Sequence, residues 1–193
     1  MDNIAARPLI LFGSPHADGP TAALVQAFLE REKLSMEDCG RLSAYSLRPL
    51  PCVDCGWCKA NPDCRLPDLK EFYAAFEETG LLILAAPVYN AGLPAPLKAM
   101  IDRTQVYFNA RFHRQMRPPI ARPKKAVLLF TAGSDKDFRS LLLEQLAPMF
   151  TVTNCKFQGA ALLGNLDRHP LSPAHRAERL KQALADIPPL LDA

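Results

Sequence analysis

No stretch of this chain approaches the ~18 consecutive apolar residues that a membrane-crossing helix needs, so no membrane partner is expected. The first seven residues, Met1 to Arg7, hold an acid and no apolar core of signal-peptide type, which predicts a cytoplasmic protein. Excess charge is scarce: a net charge of +3 is too small to argue for nucleic acid. The one basic stretch, Arg111, Arg114, Arg117, Arg122, Lys124 and Lys125, reads as a solvated loop or the rim of an anionic-cofactor site. Histidine is rare, and His16, His113, His169 and His175 show no metal spacing; His113 and His175 are expected at the surface. No Ser–His–Asp set and no glycosidase-like carboxylate pair is present. Low-complexity tracts, internal repeats and interdomain linkers are also missing. The 193 residues therefore read as a single domain with one well-filled core.

What is there begins at Pro8-Leu9-Ile10-Leu11-Phe12-Gly13-Ser14-Pro15-His16-Ala17-Asp18-Gly19-Pro20-Thr21. A short apolar run stops at Gly13, small and polar residues follow, and a helical pattern starts after Thr21. Strand, small-residue loop and helix N-terminus aim backbone N–H groups and the positive end of a helix dipole at one point, where a phosphate is the usual occupant. Ser14 and Thr21 add hydroxyl donors, His16 adds a positive charge when protonated, and Gly19 lets the backbone approach the ligand. The loop lacks the Gly-Lys-Ser/Thr ending of a Walker A site and the three spaced glycines of the dinucleotide fingerprint.

Apolar runs and helical patterns alternate along the chain. Strands are predicted at 9–12, 42–47, 81–86, 126–131 and 157–163, and helices at 21–32, 67–78, 97–108, 138–149 and 173–187. Leu69, Phe72, Tyr73 and Phe76 form the buried stripe of the second helix. Five strands each followed by a helix predict a doubly wound α/β parallel sheet, with ligands beyond the carboxyl ends of the strands. The loops 13–21, 87–94 and 131–136 all lie at that edge.

The run Ala86-Pro87-Val88-Tyr89-Asn90-Ala91-Gly92-Leu93-Pro94-Ala95-Pro96-Leu97-Lys98-Ala99-Met100-Ile101-Asp102-Arg103 resembles the NADPH-dependent FMN reductase family, whose pattern is P-V-Y, a few residues, P, then L-K-x-x-I-D-R. The first loop is similar to the same family's G-S-P-R-x-x-G-x-T. The resemblance implies a flavodoxin-like sheet of order 2-1-3-4-5 with helices on both faces, and an FMN site. Ser14, His16, Gly19 and Thr21 would hold the phosphate. Pro87, Val88, Tyr89 and Asn90 would lie along the isoalloxazine ring, with Thr131, Ala132 and Gly133 closing its other side. A tight Pro-containing turn with an aromatic suits a planar apolar ring. Hydride from NAD(P)H would go to flavin N5, so no side chain is expected as an acid–base catalyst. His16 stands where the family has Arg, and Pro20 removes one N–H from the cradle. By analogy with relatives, the insert 109–123 covers the flavin or contacts a neighbouring subunit, which predicts a dimer or tetramer.

Six cysteines in a chain without a secretion signal read as free thiols, metal ligands or redox groups. Cys52-x-x-Cys55-x-x-Cys58, then five residues and Cys64, place four thiols in the loop 51–65, a spacing that suits iron–sulfur or zinc ligation. The spacing resembles the compact motif of the iron-sulfur flavoproteins, a branch of the same family that carries a 4Fe–4S cluster beside FMN. Structural zinc, a redox dithiol of Cys55 and Cys58, and unligated thiols remain alternatives. Cys39 and Cys155 read as ordinary buried or half-buried thiols. Trp57 is expected to shield the site or to pack at a subunit contact. An FMN-dependent oxidoreductase with a small redox acceptor, an electron carrier fed by ferredoxin, and a flavodoxin-like binding protein that has lost its cofactor are the three functional readings.

Overall fold

The computed structural model describes residues 7–190, so the reading of the N-terminus falls outside it except for Arg7. The elements run β1 (Leu9–Phe12), α1 (Pro20–Arg31), β2 (Gly40–Ser43), α2 (Ala44–Leu47), α3 (Trp57–Ala60), a 3-10 turn (Pro67–Leu69), α4 (Lys70–Glu78), β3 (Leu81–Pro87), α5 (Ala95–Asp102), α6 (Gln105–Phe112), β4 (Lys124–Thr131), α7 (Arg139–Val152), β5 (Cys155–Leu163) and α8 (Arg176–Leu184). The strands form one parallel sheet in the order β2-β1-β3-β4-β5, as the resemblance implied.

The central strands read as continuous apolar runs because both of their faces are covered. Leu9, Leu11, Leu82, Leu84, Leu128 and Phe130 point to one core, with Phe72 and Phe76 of α4, Leu97 and Met100 of α5, and Leu142 and Leu146 of α7. Ile10, Phe12, Ile83, Ala85, Val127 and Leu129 point to the other, against Leu24 and Phe28 of α1 and Leu180 and Leu184 of α8. Each fully buried Leu, Ile or Phe contributes ~1.5–3 kcal/mol of transfer free energy. Among the described residues no helix is long and apolar enough to cross a membrane.

Four expectations are corrected. Strand β2 occupies 40–43, not 42–47, because Ser43 Oγ accepts the Ser46 N–H at 3.3 Å and caps the helical turn α2. The predicted helix 97–108 is two helices. Thr104 Oγ1 donates to Ile101 O at 2.7 Å at the break, and α6 takes in the first residues of the expected insert. The closing helix, Arg176–Leu184, is shorter than 173–187. Lys124 is not in a solvated loop: it opens β4, is buried, and carries its ammonium 5.2 Å from the Phe76 ring centre.

Strand order reverses between β1 and β3, and the crevice that opens there, at the carboxyl ends of the strands, is where this architecture places ligands.

Candidate functional site

The three loops expected at the carboxyl edge meet there. Gly13 N–H donates to Ala85 O at 2.7 Å, and a Cβ on Gly13 would lie 2.6 Å from Leu97 Cδ2, so the loop after β1 passes directly over α5. The buried Ser14 hydroxyl works locally: Oγ accepts the His16 N–H at 3.2 Å and folds the loop back on itself. Pro15, His16, Ala17 and Asp18 are exposed. Gly19 has ordinary extended backbone, φ −79°, and a Cβ there would stand 3.3 Å from His16 Cβ. Thr21 Oγ1 and Thr131 Oγ1 are 2.9 Å apart and buried, which ties the first and third loops together. Val88 N–H donates to Thr131 O at 2.8 Å, which ties in the second.

After the half-buried Pro87 and Val88, Tyr89 and Gly92 exchange two backbone hydrogen bonds of 3.0 and 2.9 Å. The two residues between them, Asn90 (φ 49°) and Ala91 (φ 60°), both have left-handed backbone, the signature of a type I′ turn. Asn tolerates that conformation, but at Ala91 it costs ~1–2 kcal/mol. The turn lifts Tyr89, 43% exposed, to the rim. Beyond β4, Ala132 is buried and Gly133 lies under Asp167, whose carboxylate a Cβ at that position would meet.

The donor set fits a phosphate. Helix α1 has no side-chain cap and no acid in its first turn, and the Thr21 and Ala22 amides have no intrahelical acceptor. Pro20 sits at the start of that helix, where the missing N–H has no intrahelical role.

The loop with the four cysteines lies between α2 and α4. Gly56 (φ 73°) turns the chain into α3. Cys52 and Cys55 are exposed, Cys58 and Cys64 partly buried, and all six cysteines are free thiols. Cys39 is buried and Cys155 half-buried, as expected. Burial pushes both thiols up from their usual values. Cys52, Cys55, Cys58 and Cys64 line one cavity together with Arg103. It encloses about 20 Å³, room for roughly one water. Asn109 Nδ2 donates to Cys58 Sγ at 3.0 Å.

Arg103 is 1% exposed. Its Nη1 donates to Asp68 Oδ1 at 2.9 Å and to Leu50 O at 3.1 Å, and its Nη2 to Leu66 O at 2.8 Å, so one guanidinium holds both ends of the cysteine loop. Burial raises the Asp68 carboxyl, but the Leu50 amide and Arg103 outweigh it and hold the group below its usual value. Arg103 Nε is buried and has no hydrogen-bond partner. Among the described residues no three His, Cys, Asp or Glu side chains converge as a single metal ion requires. Zinc draws its sulfurs to ~2.3 Å from one point, whereas a cubane spreads four thiolates over four corners.

Neither Arg103 nor Asn109 stands out as a site residue in the sequence. Arg103 is visible there only as the last letter of L-K-x-x-I-D-R, and Asn109 as the first residue of the insert. Trp57 is 42% exposed, with Nε1 donating to Asp63 Oδ1 at 3.1 Å. His113 and His175 are exposed, as expected.

A family profile described as NADPH-dependent FMN reductase matches residues 6–164. The chain belongs to this family. It is thus a member of a family of FMN-linked oxidoreductases. An iron-sulfur flavoprotein of Archaeoglobus fulgidus is 31% identical over 98 residues, 50% of this chain and 44% of the relative. An FMN-dependent NADH:quinone oxidoreductase of Stenotrophomonas maltophilia is 26% identical over 127 residues, 63% of this chain and 62% of the relative. Matches to iron-sulfur flavoproteins span between 32% and 49% of those proteins' length. A solved NAD(P)H:quinone oxidoreductase from Methanothermobacter marburgensis superposes with a TM-score of 0.67 at 19% identity, covering 91% of each chain, and that likeness shows the fold.

Proposed function

We propose that the chain is an FMN-dependent oxidoreductase that takes reducing equivalents from NAD(P)H and passes them to a small acceptor such as a quinone or free flavin. The observation that carries this reading is the joining of three loops through Thr21, Thr131 and Val88 beside an uncapped helix N-terminus. Ser14, His16, Gly19 and the first turn of α1 would hold the phosphate, and Pro87 to Asn90 with Thr131 to Gly133 would hold the ring. Bound FMN supplies two-electron chemistry with the nicotinamide, and the protein supplies binding and orientation. The reading carries with it a cytoplasmic protein and a homo-oligomer. The exposed side chains of Trp57, Phe108 and Phe112 are apolar surface of the kind that subunit contacts cover.

The cysteine cavity favours a second component. Four thiols around one space, beside a buried guanidinium whose Nε has no acceptor, suit in their chemistry an anionic iron–sulfur cluster that relays electrons to or from the flavin. In that case the donor can be ferredoxin in place of NAD(P)H. At about 20 Å³ the cavity is narrower than a cluster needs.

One anaerobic purification tests both. Flavin absorption, with rapid bleaching by NADPH, supports the reductase; acid-labile sulfide with about four irons per chain adds the cluster. A colourless protein that takes up no added FMN would sink the flavin reading. Flavin without iron leaves a reductase whose cysteines are plain thiols.

A further inference from the structure

Exposed large apolar side chains are unevenly placed on this chain. Of nine among the described residues, six fall in two segments: Leu50, Val53 and Trp57 in the cysteine loop, and Phe108, Phe112 and Met116 in and just after α6. The two segments touch. Helix α3 packs on α6, Val53 and Trp57 border the same small cavity as Gln105 and Val106, and Asn109 Nδ2 reaches Cys58 Sγ at 3.0 Å. Gln105, Phe108 and Phe112 share one stripe of α6, while Val106, Tyr107, Asn109 and Ala110 are buried on the other side. The Phe108 and Phe112 rings lie with their centres 4.5 Å apart, although the residues are 40% and 48% exposed. The Trp57 ring is held by its Nε1 bond to Asp63 Oδ1. Rings fixed in this way lose little side-chain freedom on association, and such aromatic clusters are where binding energy concentrates.

Resting on the homo-oligomer reading above, we infer that this face, centred on Phe108 and Phe112, is where a second copy of the chain docks, across a two-fold axis that sets the two α6 helices antiparallel. Two features select a copy of this chain as the occupant. The centre of the stripe carries no charge that would repel its own image: α6 has no acid, and its one cation, Arg111, lies over the Phe112 ring and donates to Thr151 O at 3.1 Å. The ends of the stripe differ in sign. The exposed Asp54 borders the same cavity as Gln105, at the amino-terminal end of α6. The exposed Arg117 follows Met116, whose N–H donates to Ala110 O and keeps that segment at the carboxyl-terminal end. An antiparallel pair sets the acidic end of each copy against the basic end of the other, twice by symmetry. Phe108 of one copy then meets Phe112 of the other, and four rings leave water together with Trp57 at their edge.

The test reads molar mass by sedimentation over a range of concentrations for wild type, Phe108→Glu, Phe112→Glu and Met36→Glu. Met36 is also exposed but lies outside both segments, so its variant adds the same charge elsewhere. Wild type is expected to associate, each Phe variant to do so ~30-fold more weakly or worse, and Met36→Glu to match wild type. An associating wild type whose dissociation constant is unchanged in both Phe variants uses another face; that overturns the inference and leaves the homo-oligomer reading standing. Equal weakening in Met36→Glu would show that added charge acts wherever it is placed, and the inference falls. A wild type that stays monomeric at every concentration overturns the homo-oligomer reading and the inference with it. If the Phe variants do not fold, Trp57, the one tryptophan of the chain, decides. Its emission in wild type is expected to move to longer wavelength as dilution lowers the mass, and an emission that stays fixed through dissociation is the contrary result.

Discussion

Thr21 Oγ1 and Thr131 Oγ1 lie 2.9 Å apart with both residues almost inaccessible to water, joining the first turn of α1 to the end of β4. One hydroxyl donates to the other, so a single O–H of the pair is left to reach a ligand. Replacing Thr21 by Val leaves the Thr131 hydroxyl buried and unpaired, at a cost of ~1–3 kcal/mol. Adding Thr131→Val to that variant should cost less than Thr131→Val alone, as read by denaturant unfolding of all four proteins. Strict additivity would show that the bond contributes nothing. FMN affinity, measured by fluorescence quenching, should fall in both single variants.

Gly13 has no space for a side chain. A Cβ there meets Leu97 Cδ2 at 2.6 Å and Ala86 Cβ at 3.1 Å, so Gly13→Ala should destabilise by ~1–3 kcal/mol through overpacking. Leu97→Ala removes the closer atoms, and the double variant should recover part of the loss. A Gly13→Ala protein as stable as wild type would place α5 farther from the loop than described.

Ala91 holds a left-handed backbone inside a two-residue turn. Ala91→Gly relieves that strain and should raise stability by ~0.5–1 kcal/mol, after the extra entropy of glycine in the unfolded chain is offset. The thermal midpoint checks it. A drop in stability would mean that the Ala91 methyl packs against something worth more than the strain.

Asp68 is held below its ordinary value of 3.8 by its hydrogen bonds against an opposing burial effect. Its folded pKa lies under the unfolded one, so its contribution is fully present above about pH 4 and is lost as pH falls through the folded value. The stability gap between wild type and Asp68→Asn should therefore be largest near neutral pH and shrink on acidification below 3.8. A gap that stays constant from neutral pH down to about pH 3 would contradict the charged contact with Arg103.

The apolar runs at 9–12, 81–86 and 126–131 are legible in the sequence because a strand buried on both faces has no polar position to hide its pattern. Segment 42–47 misleads for a local reason: Leu-Ser-Ala-Tyr-Ser-Leu alternates like a strand, but Ser43 can cap a turn and does. Lys124 looks like surface because burial of a lysine depends on an aromatic, Phe76, that only the packing of α4 supplies.

From the sequence alone follow the alternation of strands and helices, the three loops at one edge, the resemblance in P-V-Y and L-K-x-x-I-D-R, and four cysteines within thirteen positions. These are local patterns, set by neighbours a few residues apart. Partnership was decided by the tertiary structure: Thr21 with Thr131 across 110 residues, Arg103 with Leu50 across 53, Asn109 with Cys58 across 51. Parallel strand register and helix packing bring such residues together, and no single segment encodes which donor a distant acceptor will meet.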